Sequence, residues 1–441
     1  MPKYIFILGH NPVLSILEII KTLPPHLVVN ALRSRCGGLP RIVQKNINII
    51  TSTPALIMEL AEEIAEQKYL ESLGGTIKIG KIITEIKIED LNNLERIIEQ
   101  EINKKINLPS RIQFGFSLYF SQEINYSKKD WRKRFNQLGL KIKKSLKEKG
   151  LNSRFIVSHD VSLSSVIVKK ERLIDQGFDF LFFFKSNQIY FGQTTAIQDY
   201  EEYRFTDYGR PAPNLGAGML PLKLAKIMIN LGQLKKEQVI LDPFCGSGTI
   251  LQEALKLGYY QLIGSDKNPQ AIENSKNNLE WLRRKLNIKP NYLRLELYQL
   301  AVKNLTKKLP PNSIDAIITE PYLGSPLKSQ AQWQLRAQEA RHLENLYFQA
   351  FISFSQVLKK GGRVIIIFPI FKINEGKEKS IFIKEKLLTK IRALGFYQED
   401  LAMNFKSLAD FSPFLTKRQT IFYCRPGQRV YREILSFQKN L

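Results

Sequence analysis

The sequence predicts an α/β protein whose C-terminal half is a doubly wound domain. Two observations support this. From residue 239 onwards, short apolar stretches alternate with helical patterns, which is typical of a parallel sheet with helices on both faces. Residues 239–250 read Val-Ile-Leu-Asp-Pro-Phe-Cys-Gly-Ser-Gly-Thr-Ile, a buried strand, an acid, a glycine turn and a helix start. At 441 residues the chain is too long for one compact core, so two or three domains are expected.

The first 88 residues are predicted as an α+β, ferredoxin-like domain. Strands are expected at 4–8, 26–32, 47–52 and 76–86, and a helix at 14–23. Residues 54–69 are interpreted as an acidic helix with its proline in the first turn, where proline costs least. This segment shows no residues of evident chemical function.

Residues 89–200 contain the densest positive charge in the chain. Residues 128–149 carry ten Lys and Arg side chains against two acids, on a pattern that predicts a helix with one apolar stripe. The stripe consists of Trp131, Phe135, Leu138, Leu140, Ile142 and Leu146. Such a run is often only a solvated face, and that alternative stays open. Its concentration in one segment favours contact with nucleic-acid phosphates. The residues predicted to bind RNA are Lys128, Lys129, Arg132, Lys133, Arg134, Lys141 and Lys144.

The overall charge supports a polyanionic partner. Lys and Arg number 66 against 41 acids, a net charge of +25, so nucleic acid is expected first and an anionic membrane surface second. A general solubility bias is the alternative. No apolar run is long enough to span a membrane, and the N-terminus does not resemble a secretory signal, so a cytoplasmic protein without a membrane partner is expected. Three widely separated cysteines (Cys36, Cys245, Cys424) predict no disulfide framework and no metal site.

The glycine turn and the strands after it supply a predicted nucleoside site. Asp266 ends the second strand of the alternating series, where an acid accepts hydrogen bonds from ribose hydroxyls, although it could instead cap the next helix. Gln299, after the third strand, is a weaker candidate and could be an ordinary surface residue. Cys245 has no histidine at a fixed spacing, so it is interpreted as packing rather than as a nucleophile. The predicted cofactor-binding residues are Asp242, Phe244, Cys245, Gly246, Gly248, Thr249, Asp266, Asn268 and Gln299.

Residues 242–249, Asp-Pro-Phe-Cys-Gly-Ser-Gly-Thr, resemble the first motif of S-adenosylmethionine-dependent nucleic-acid methyltransferases of the amino-methylating type. The Leu-Ser-Ser-Val run at 163–166 and the order of elements around it resemble a THUMP domain. As a whole, the chain resembles the THUMP-containing tRNA guanosine N2-methyltransferases that act near position 10. The resemblance implies a Rossmann-like catalytic domain, S-adenosylmethionine as cofactor, tRNA as substrate, and Asp242 facing the amino-acid end of the cofactor.

The candidate catalytic string is Thr-Glu-Pro-Tyr-Leu-Gly at 319–324, just past the fourth strand. Amino-methyltransferases carry Asp/Asn-Pro-Pro-Tyr here, so this chain has one proline fewer and Glu in place of Asp. An exocyclic base amine is a poor nucleophile, and hydrogen-bond acceptors on its two N–H groups aim its lone pair. Glu320 and the carbonyl of Pro321 are predicted to accept those hydrogen bonds, and Tyr322 to stack the flipped base. A plain strand-ending turn is the alternative.

The predicted organisation is a ferredoxin-like domain at 1–88, a THUMP-like RNA-binding domain at 89–200, a linker at 201–217 and the methyltransferase domain at 218–441. Turn-forming residues, beginning at Gly192, and paired charges mark residues 191–215 as a connector at the domain boundary. The last predicted strand is a hairpin strand at 420–424. The predicted function is methyl transfer from S-adenosylmethionine to the exocyclic N2 amine of a guanosine in tRNA. Two alternatives remain: a DNA adenine or cytosine amino-methyltransferase, and a non-catalytic RNA-binding protein that keeps the methyltransferase fold. A partner protein subunit is possible but not readable from the sequence.

Overall fold

The computed structural model describes residues 1–27, 50–52, 54–104, 111–121, 127–212, 219–324, 333–372, 380–381, 385–403, 409–425, 428 and 430–440. The chain divides into two compact units. The first comprises Met1–Ile16 and Leu23–Glu201, and the second comprises Leu17–Thr22 and Glu202–Leu441. Cys36 and most of the strand predicted at 26–32 lie outside the described residues.

The first unit is an α+β structure. Its elements are β1 (Lys3–Leu8), α1 (Pro12–Thr22, whose last residues belong to the second unit), β2 (Ile50–Ser52), β3 (Ala55–Glu59), α2 (Glu66–Ser72), β4 (Thr76–Lys87), a 3₁₀ turn (Ile88–Asn93), α3 (Leu94–Asn103), β5 (Ile112–Phe120), α4 (Lys128–Glu148), β6 (Ser153–Ile156), α5 (Ser165–Lys170), β7 (Gly177–Lys185) and β8 (Gln188–Ile197).

All eight strands of this unit form one sheet, in the order β2-β3-β1-β4-β8-β7-β5-β6. The sheet is continuous across residue 88, because β4 pairs antiparallel with β8. The division into a ferredoxin-like and a THUMP-like domain therefore stays a prediction. The two segments share one sheet and one compact unit.

Two predictions for this unit were wrong. Residues 55–59, predicted as part of a helix, form β3 between β1 and β2, because this short apolar run is buried and periodicity alone does not distinguish such a run from a helix. Residues 192–197, interpreted as connector, belong to β8. Gly192 suggested a turn, but a Cβ atom there would lie 2.5 Å from the carbonyl oxygen of Lys81, so glycine is needed for close strand approach.

The basic segment forms α4 and docks through aromatic side chains, as its stripe predicted. Trp131 and Phe135 pack on the phenylalanine-rich face of the sheet, with ring centroids 4.7 Å from Phe184 and 4.8 Å from Phe182 respectively. Leu140, included in the predicted stripe, is exposed instead. Burial of each such aromatic side chain contributes about 2 kcal/mol to the stability of the fold. Because this face of α4 packs on the sheet, the opposite, basic face points to solvent.

The second unit alternates strand and helix through its first five strands. Its elements are α6 (Tyr200–Tyr208), α7 (Leu222–Leu231), β9 (Ile240–Asp242), α8 (Thr249–Lys256), β10 (Gln261–Asp266), α9 (Pro269–Lys285), a 3₁₀ turn (Pro290–Tyr292), β11 (Arg294–Gln299), a 3₁₀ turn (Val302–Lys307), β12 (Ile314–Thr319), α10 (Trp333–Val357), β13 (Leu358–Lys372), β14 (Ser380–Ile381), α11 (Glu385–Ala393), β15 (Phe396–Glu399), a 3₁₀ turn (Ala409–Phe414), β16 (Ile421–Tyr423) and β17 (Val430–Lys439).

The main sheet runs in the order β11-β10-β9-β12-β13-β17-β15, with β14 and β16 added at its side. The first five strands are parallel, as predicted, and their carboxyl ends share one edge. The strand order reverses beside β9, where doubly wound folds bind ligands. β17 pairs antiparallel with β13 over nine residue pairs, so the sheet is mixed rather than purely parallel.

The predicted α/β fold is thus confirmed, with one substantial omission. The sequence predicts a strand at 420–424 but none at 430–439, where the ten-residue β17 lies. Among the helices that the structure describes, none combines the length and the hydropathy needed to cross a membrane.

Candidate active site at the carboxyl ends of the parallel strands

Asp242 ends β9 and is 2% exposed. Its Oδ1 accepts a 2.6 Å hydrogen bond from the hydroxyl of Thr319, which ends the neighbouring strand β12. It also accepts a 3.2 Å bond from the backbone N–H of Phe244. Burial raises the pKa of the Asp242 carboxyl to about 7, although both hydrogen bonds oppose the shift. The nearby charges of Asp266 and Glu320 raise it further.

The turn after Asp242 needs two glycines for its backbone. Gly246 has φ +53° and Gly248 has φ +84°, both in the left-handed region that favours glycine. At Gly248 an added Cβ would also lie 2.5 Å from the Ser275 hydroxyl oxygen. At Gly246 it would meet no atom within 4 Å, so this glycine faces open space at the strand ends. A ligand can approach the backbone there.

Asp266 holds this turn from the end of β10. Its Oδ2 accepts a 3.1 Å hydrogen bond from the N–H of Gly246, and its Oδ1 accepts a 2.9 Å bond from the N–H of Asn268. Asn268 is the N-cap of α9, since its side chain accepts from the N–H of Gln270 at 3.0 Å. Gln299 lies opposite Asp266 in the β10–β11 register and is exposed. The acid, the cap and the glutamine therefore meet at one edge.

Three further residues predicted for cofactor binding have structural partners. Cys245 is 5% exposed, and burial raises the pKa of its thiol, which supports its interpretation as packing rather than as a nucleophile. Phe244 is half-buried against the apolar core of the unit. The hydroxyl of Thr249 accepts a 3.4 Å hydrogen bond from Arg210. These contacts fix the turn, and a direct role in ligand binding stays a prediction.

The catalytic candidate Glu320 directly follows β12 and is part of an ion pair. Its carboxylate pairs with Arg432 on β17, with Nε 2.6 Å from Oε1 and Nη2 3.5 Å from Oε2. The side chain of Arg432 is buried, at 3% exposure, and that of Glu320 is mostly buried, at 12%. Burial raises the pKa of the Glu320 carboxyl, and the guanidinium of Arg432 works in the opposite direction.

The backbone after Glu320 is held by helix α10. The hydroxyl of Tyr347 donates a 2.8 Å hydrogen bond to the carbonyl oxygen of Tyr322. Tyr347 is itself fully buried and stacked on Phe368 at 4.8 Å between ring centroids. Pro321 is buried, whereas the ring of Tyr322 is 53% exposed and accessible to a planar group.

The structure therefore brings together the ends of four parallel strands, with Asp242, Asp266, Gln299 and Glu320 at one edge. Thr319 and Arg432 belong to this site but were not predicted. Thr319 stood within the quoted catalytic string and could have been found as a donor to a buried acid. No sequence signal connects Arg432 to Glu320, because 112 residues separate them. Among the residues that the structure describes, no cluster of His, Cys, Asp and Glu could hold a metal ion.

The basic helix α4 is described separately, since it lies in the other compact unit. Its predicted RNA-binding side chains are exposed except for Arg132, which is half-buried and donates to the carbonyl oxygen of Ser158 at 2.7 Å. Arg134 lies over the ring of Trp131 at 5.3 Å, and Lys141 forms an ion pair with Glu95. Arg132 therefore has a structural partner, while the exposed lysines Lys128, Lys129, Lys133 and Lys144 remain candidates for phosphate contact.

Comparison with protein families matches residues 212–375 to an RMKL-like methyltransferase domain and residues 66–277 to a DNA methylase model. The protein of Methanothermococcus thermolithotrophicus named "Probable tRNA (guanine(10)-N2)-dimethyltransferase" is 29% identical over 32% of this chain and 77% of its own length. The tRNA (guanine(10)-N2)-dimethyltransferase of Methanocaldococcus jannaschii is 36% identical, over 24% of this chain and 29% of its own length. The match to this second relative therefore spans less than a third of its length.

Among solved structures, TrmN from Thermus thermophilus superposes with a TM-score of 0.55, covering 99% of both chains at 14% sequence identity. At that identity the likeness concerns the fold. The matched methyltransferase domain at residues 212–375 includes the glycine turn, the strand ends and Glu320. The chain is thus similar, over part of its length, to an RMKL-like methyltransferase domain and to proteins named as tRNA guanine-N2 methyltransferases.

Proposed function

We propose that this protein transfers a methyl group from S-adenosylmethionine to the exocyclic N2 amine of a guanosine in tRNA. The observation that carries the proposal is the joint placement of Gly246, Asp266 and Glu320. An open glycine turn and an acid at the strand ends lie at the same sheet edge as the candidate catalytic carboxylate. The relatives named as tRNA guanine-N2 methyltransferases supply the acceptor.

The charge of the site supports a cationic cofactor. The chain carries +25 overall, yet the ends of β9 and β10 present the carboxyl groups of Asp242 and Asp266, beside the Glu320 carboxylate that Arg432 neutralises. S-Adenosylmethionine carries a sulfonium and an ammonium group and supplies an electrophilic methyl when bound. We assign the turn Gly246–Gly248 to its approach, Asp242 to its amino-acid end and Asp266 to the ribose hydroxyls. Gln299, beside Asp266, is assigned to the neighbouring base.

The acceptor side is formed by the segment after β12. The guanine amine has a delocalised lone pair, so its two N–H groups need acceptors that aim the nitrogen at the methyl group. The carboxylate of Glu320 and the carbonyl of Pro321 fill these positions, and the exposed ring of Tyr322 stacks the base. With the cofactor bound, the nitrogen would form the new N–C bond as the S–C bond breaks with its electrons returning to sulfur, and the carboxylate of Glu320 would accept the proton that the nitrogen loses.

Glu320 tests this assignment. Glu320→Ala should reduce methyl transfer to unmodified tRNA by at least 100-fold, in the range for a lost positioning and proton-accepting group. Binding of S-adenosylhomocysteine should change little. Asp315→Asn is the matched control, since Asp315 lies on the same strand near its other end and pairs with Lys359 at 2.8 Å. Wild-type turnover in Glu320→Ala would contradict the catalytic role.

The substrate is tested separately, because the DNA methylase model also matches part of the chain. Purified protein is incubated with radiolabelled cofactor and either unmodified tRNA or duplex DNA. Nucleosides are then analysed by mass spectrometry. N2-Methylguanosine or its dimethylated form in tRNA supports the proposal, whereas label in DNA alone contradicts it. RNA binding without methyl transfer to any substrate would favour a non-catalytic role.

A further inference from the structure

We infer that Arg432 is a positioning residue for the reaction: it keeps the buried Glu320 ionised and fixes the direction in which its carboxylate accepts hydrogen bonds. The inference rests on the proposed function and extends it to the C-terminal strand β17, in which the sequence analysis predicted no site residue. Three observations support it: the geometry of the ion pair, the burial of both partners, and the place of Arg432 in the sheet.

The contact has the geometry of an ordered charge pair. The Nε of Arg432 lies 2.6 Å from Oε1 of Glu320 and Nη2 lies 3.5 Å from Oε2, so one edge of the guanidinium faces the carboxylate. A carboxylate accepts about four hydrogen bonds, so lone pairs remain for an N–H of the substrate. A planar guanidinium restrains rotation of the carboxylate better than a lysine ammonium would.

Burial makes the charge of Arg432 necessary. A carboxyl group at 12% exposure tends to be neutral, because desolvation disfavours its charged form. Within the described part of the chain, the groups shown to interact electrostatically with Glu320 are Arg432 from β17, Asp242 from β9 and the phenol of Tyr347 from α10. Asp242 is an acid and Tyr347 is neutral at ordinary pH. Of these three groups, Arg432 alone favours the ionised carboxylate.

The position of Arg432 in the fold explains how it can hold Glu320 in place. Arg432 is opposite Pro369 of β13 and opposite Tyr423 of β16 in the antiparallel registers. β17 is therefore paired on both sides at this point, and its backbone is fixed. The guanidinium also reaches the carbonyl oxygen of Met219 with Nη2 at 3.5 Å. A side chain anchored in this way can orient the flexible Glu320.

The chain replaces the family's aspartate with glutamate at position 320, and the ion pair gives this change a physical meaning. Glutamate has one more methylene and one more torsion, so an unrestrained carboxylate would occupy several directions. The fork of Arg432 selects one of them. We therefore expect Arg432 and Glu320 to act together, so that the losses in methyl-transfer rate caused by substituting each residue do not add in the double variant.

The experiment measures single-turnover methyl transfer to tRNA against pH for the wild type, Arg432→Met and Arg432→Lys. In Arg432→Met, the pH below which the methyl-transfer rate falls should rise by at least about 1 unit. A neighbouring guanidinium lowers a carboxyl pKa by about that amount or more, and this variant removes it. The rate at pH 7 should fall at least tenfold, while KM for the cofactor stays within about twofold. Arg432→Lys should restore part of the shift, since it keeps the charge but not the planar fork.

The matched control is Arg418→Met. Arg418 reaches Glu433, the chain neighbour of Arg432, at 3.7 Å and Glu385 at 3.3 Å. Its removal disturbs the same region of the sheet without removing the partner of Glu320. This variant should lower thermal stability but should not change the pH below which the methyl-transfer rate falls. An equal shift in Arg418→Met would show that Arg432 has only a structural role.

A double-mutant cycle completes the test and remains informative if Arg432→Met is poorly stable. The double variant Arg432→Lys/Glu320→Gln should lose as much methyl-transfer rate as Glu320→Gln alone. Additive losses, or a folded Arg432→Met whose rate falls below the same pH as that of the wild type, would overturn the inference while leaving the proposed function intact. If the wild type transfers no methyl group to tRNA, the proposed function itself fails, so the two failures are distinguishable.

Discussion

The hydroxyl of Thr319 donates a 2.6 Å hydrogen bond to Oδ1 of Asp242 and so joins the ends of two adjacent parallel strands. Thr319 is fully buried and Asp242 is 2% exposed, so neither group can exchange its partner for bulk water. The bond lies between the segment assigned to the cofactor and the segment assigned to catalysis. It makes the ionisation of Asp242 depend on a residue that directly precedes Glu320.

Thr319→Val should destabilise the protein by about 1–3 kcal/mol, because it leaves a buried acceptor without its donor. The loss of that bond should also raise the pKa of Asp242 beyond about 7 and weaken cofactor binding at neutral pH. Urea unfolding and calorimetric titration with S-adenosylhomocysteine measure the two effects. Thr319→Ser keeps the hydroxyl and is the control. Full stability and affinity in the valine variant would show that the bond contributes nothing.

The raised pKa of Asp242 predicts a pH dependence of stability. An aspartate titrates near 3.9 in the unfolded chain and at about 7 in the fold, so the folded state binds the extra proton between these values. Stability without ligand should therefore fall as pH rises from about 4 to about 7, by as much as about 4 kcal/mol from this group. The comparison is with Asp242→Asn, measured by urea unfolding at several pH values. Parallel curves would contradict the prediction.

The same shift predicts that cofactor affinity rises with pH. If Asp242 receives the cofactor's ammonium group, binding requires the ionised carboxylate, and a proton must leave when pH is below about 7. The affinity for S-adenosylhomocysteine should increase up to tenfold per pH unit below that value and level off above it. Calorimetry in two buffers of different ionisation enthalpy detects the released proton. No proton release at pH 6 would exclude this role for Asp242.

The two turn glycines should respond differently to alanine. Gly248→Ala should mainly lower stability, because the new Cβ meets the Ser275 hydroxyl as well as adopting a left-handed φ. Gly246→Ala should cost only the backbone term of about 1–2 kcal/mol and should abolish cofactor binding, since its Cβ enters the open space. Gly258→Ala is the control, with φ +81° and no neighbour within 4 Å at the end of α8. Retained cofactor affinity in Gly246→Ala would place the ligand elsewhere.

The basic face of α4 should supply salt-dependent RNA affinity. Lys129, Lys133 and Lys144 are exposed and have no ion pair within the part of the chain that the structure describes, whereas Lys141 pairs with Glu95. Each alanine variant at the first three positions should reduce the slope of log affinity for tRNA against log salt by about 1. Lys141→Ala should change it less. Filter binding at several salt concentrations measures the slopes, and unchanged slopes would assign the helix to a solvated face.

The sequence by itself determined the features that are encoded locally. The glycine turn, the acids that end β9 and β10, the cap at Asn268 and the amphipathic helix α4 each depend on residues within one or two turns of each other. Such patterns predict local structure without reference to long-range contacts. The parallel order of the first strands followed from the same alternation of short apolar runs and helices.

Only the tertiary structure decided the burial and the hydrogen-bond partners of the Asp242 and Glu320 carboxyl groups. Arg432 meets Glu320 across 112 residues, and Thr319 meets Asp242 across 77, through strand pairings that no local pattern encodes. The strands β3 and β8 were also predicted wrongly, because a short buried apolar run does not distinguish a strand from a helix, and because Gly192 serves close strand approach rather than a turn. The sequence thus identified which acids could act, while the packing of β12 and β17 set their burial, their partners and hence their charge.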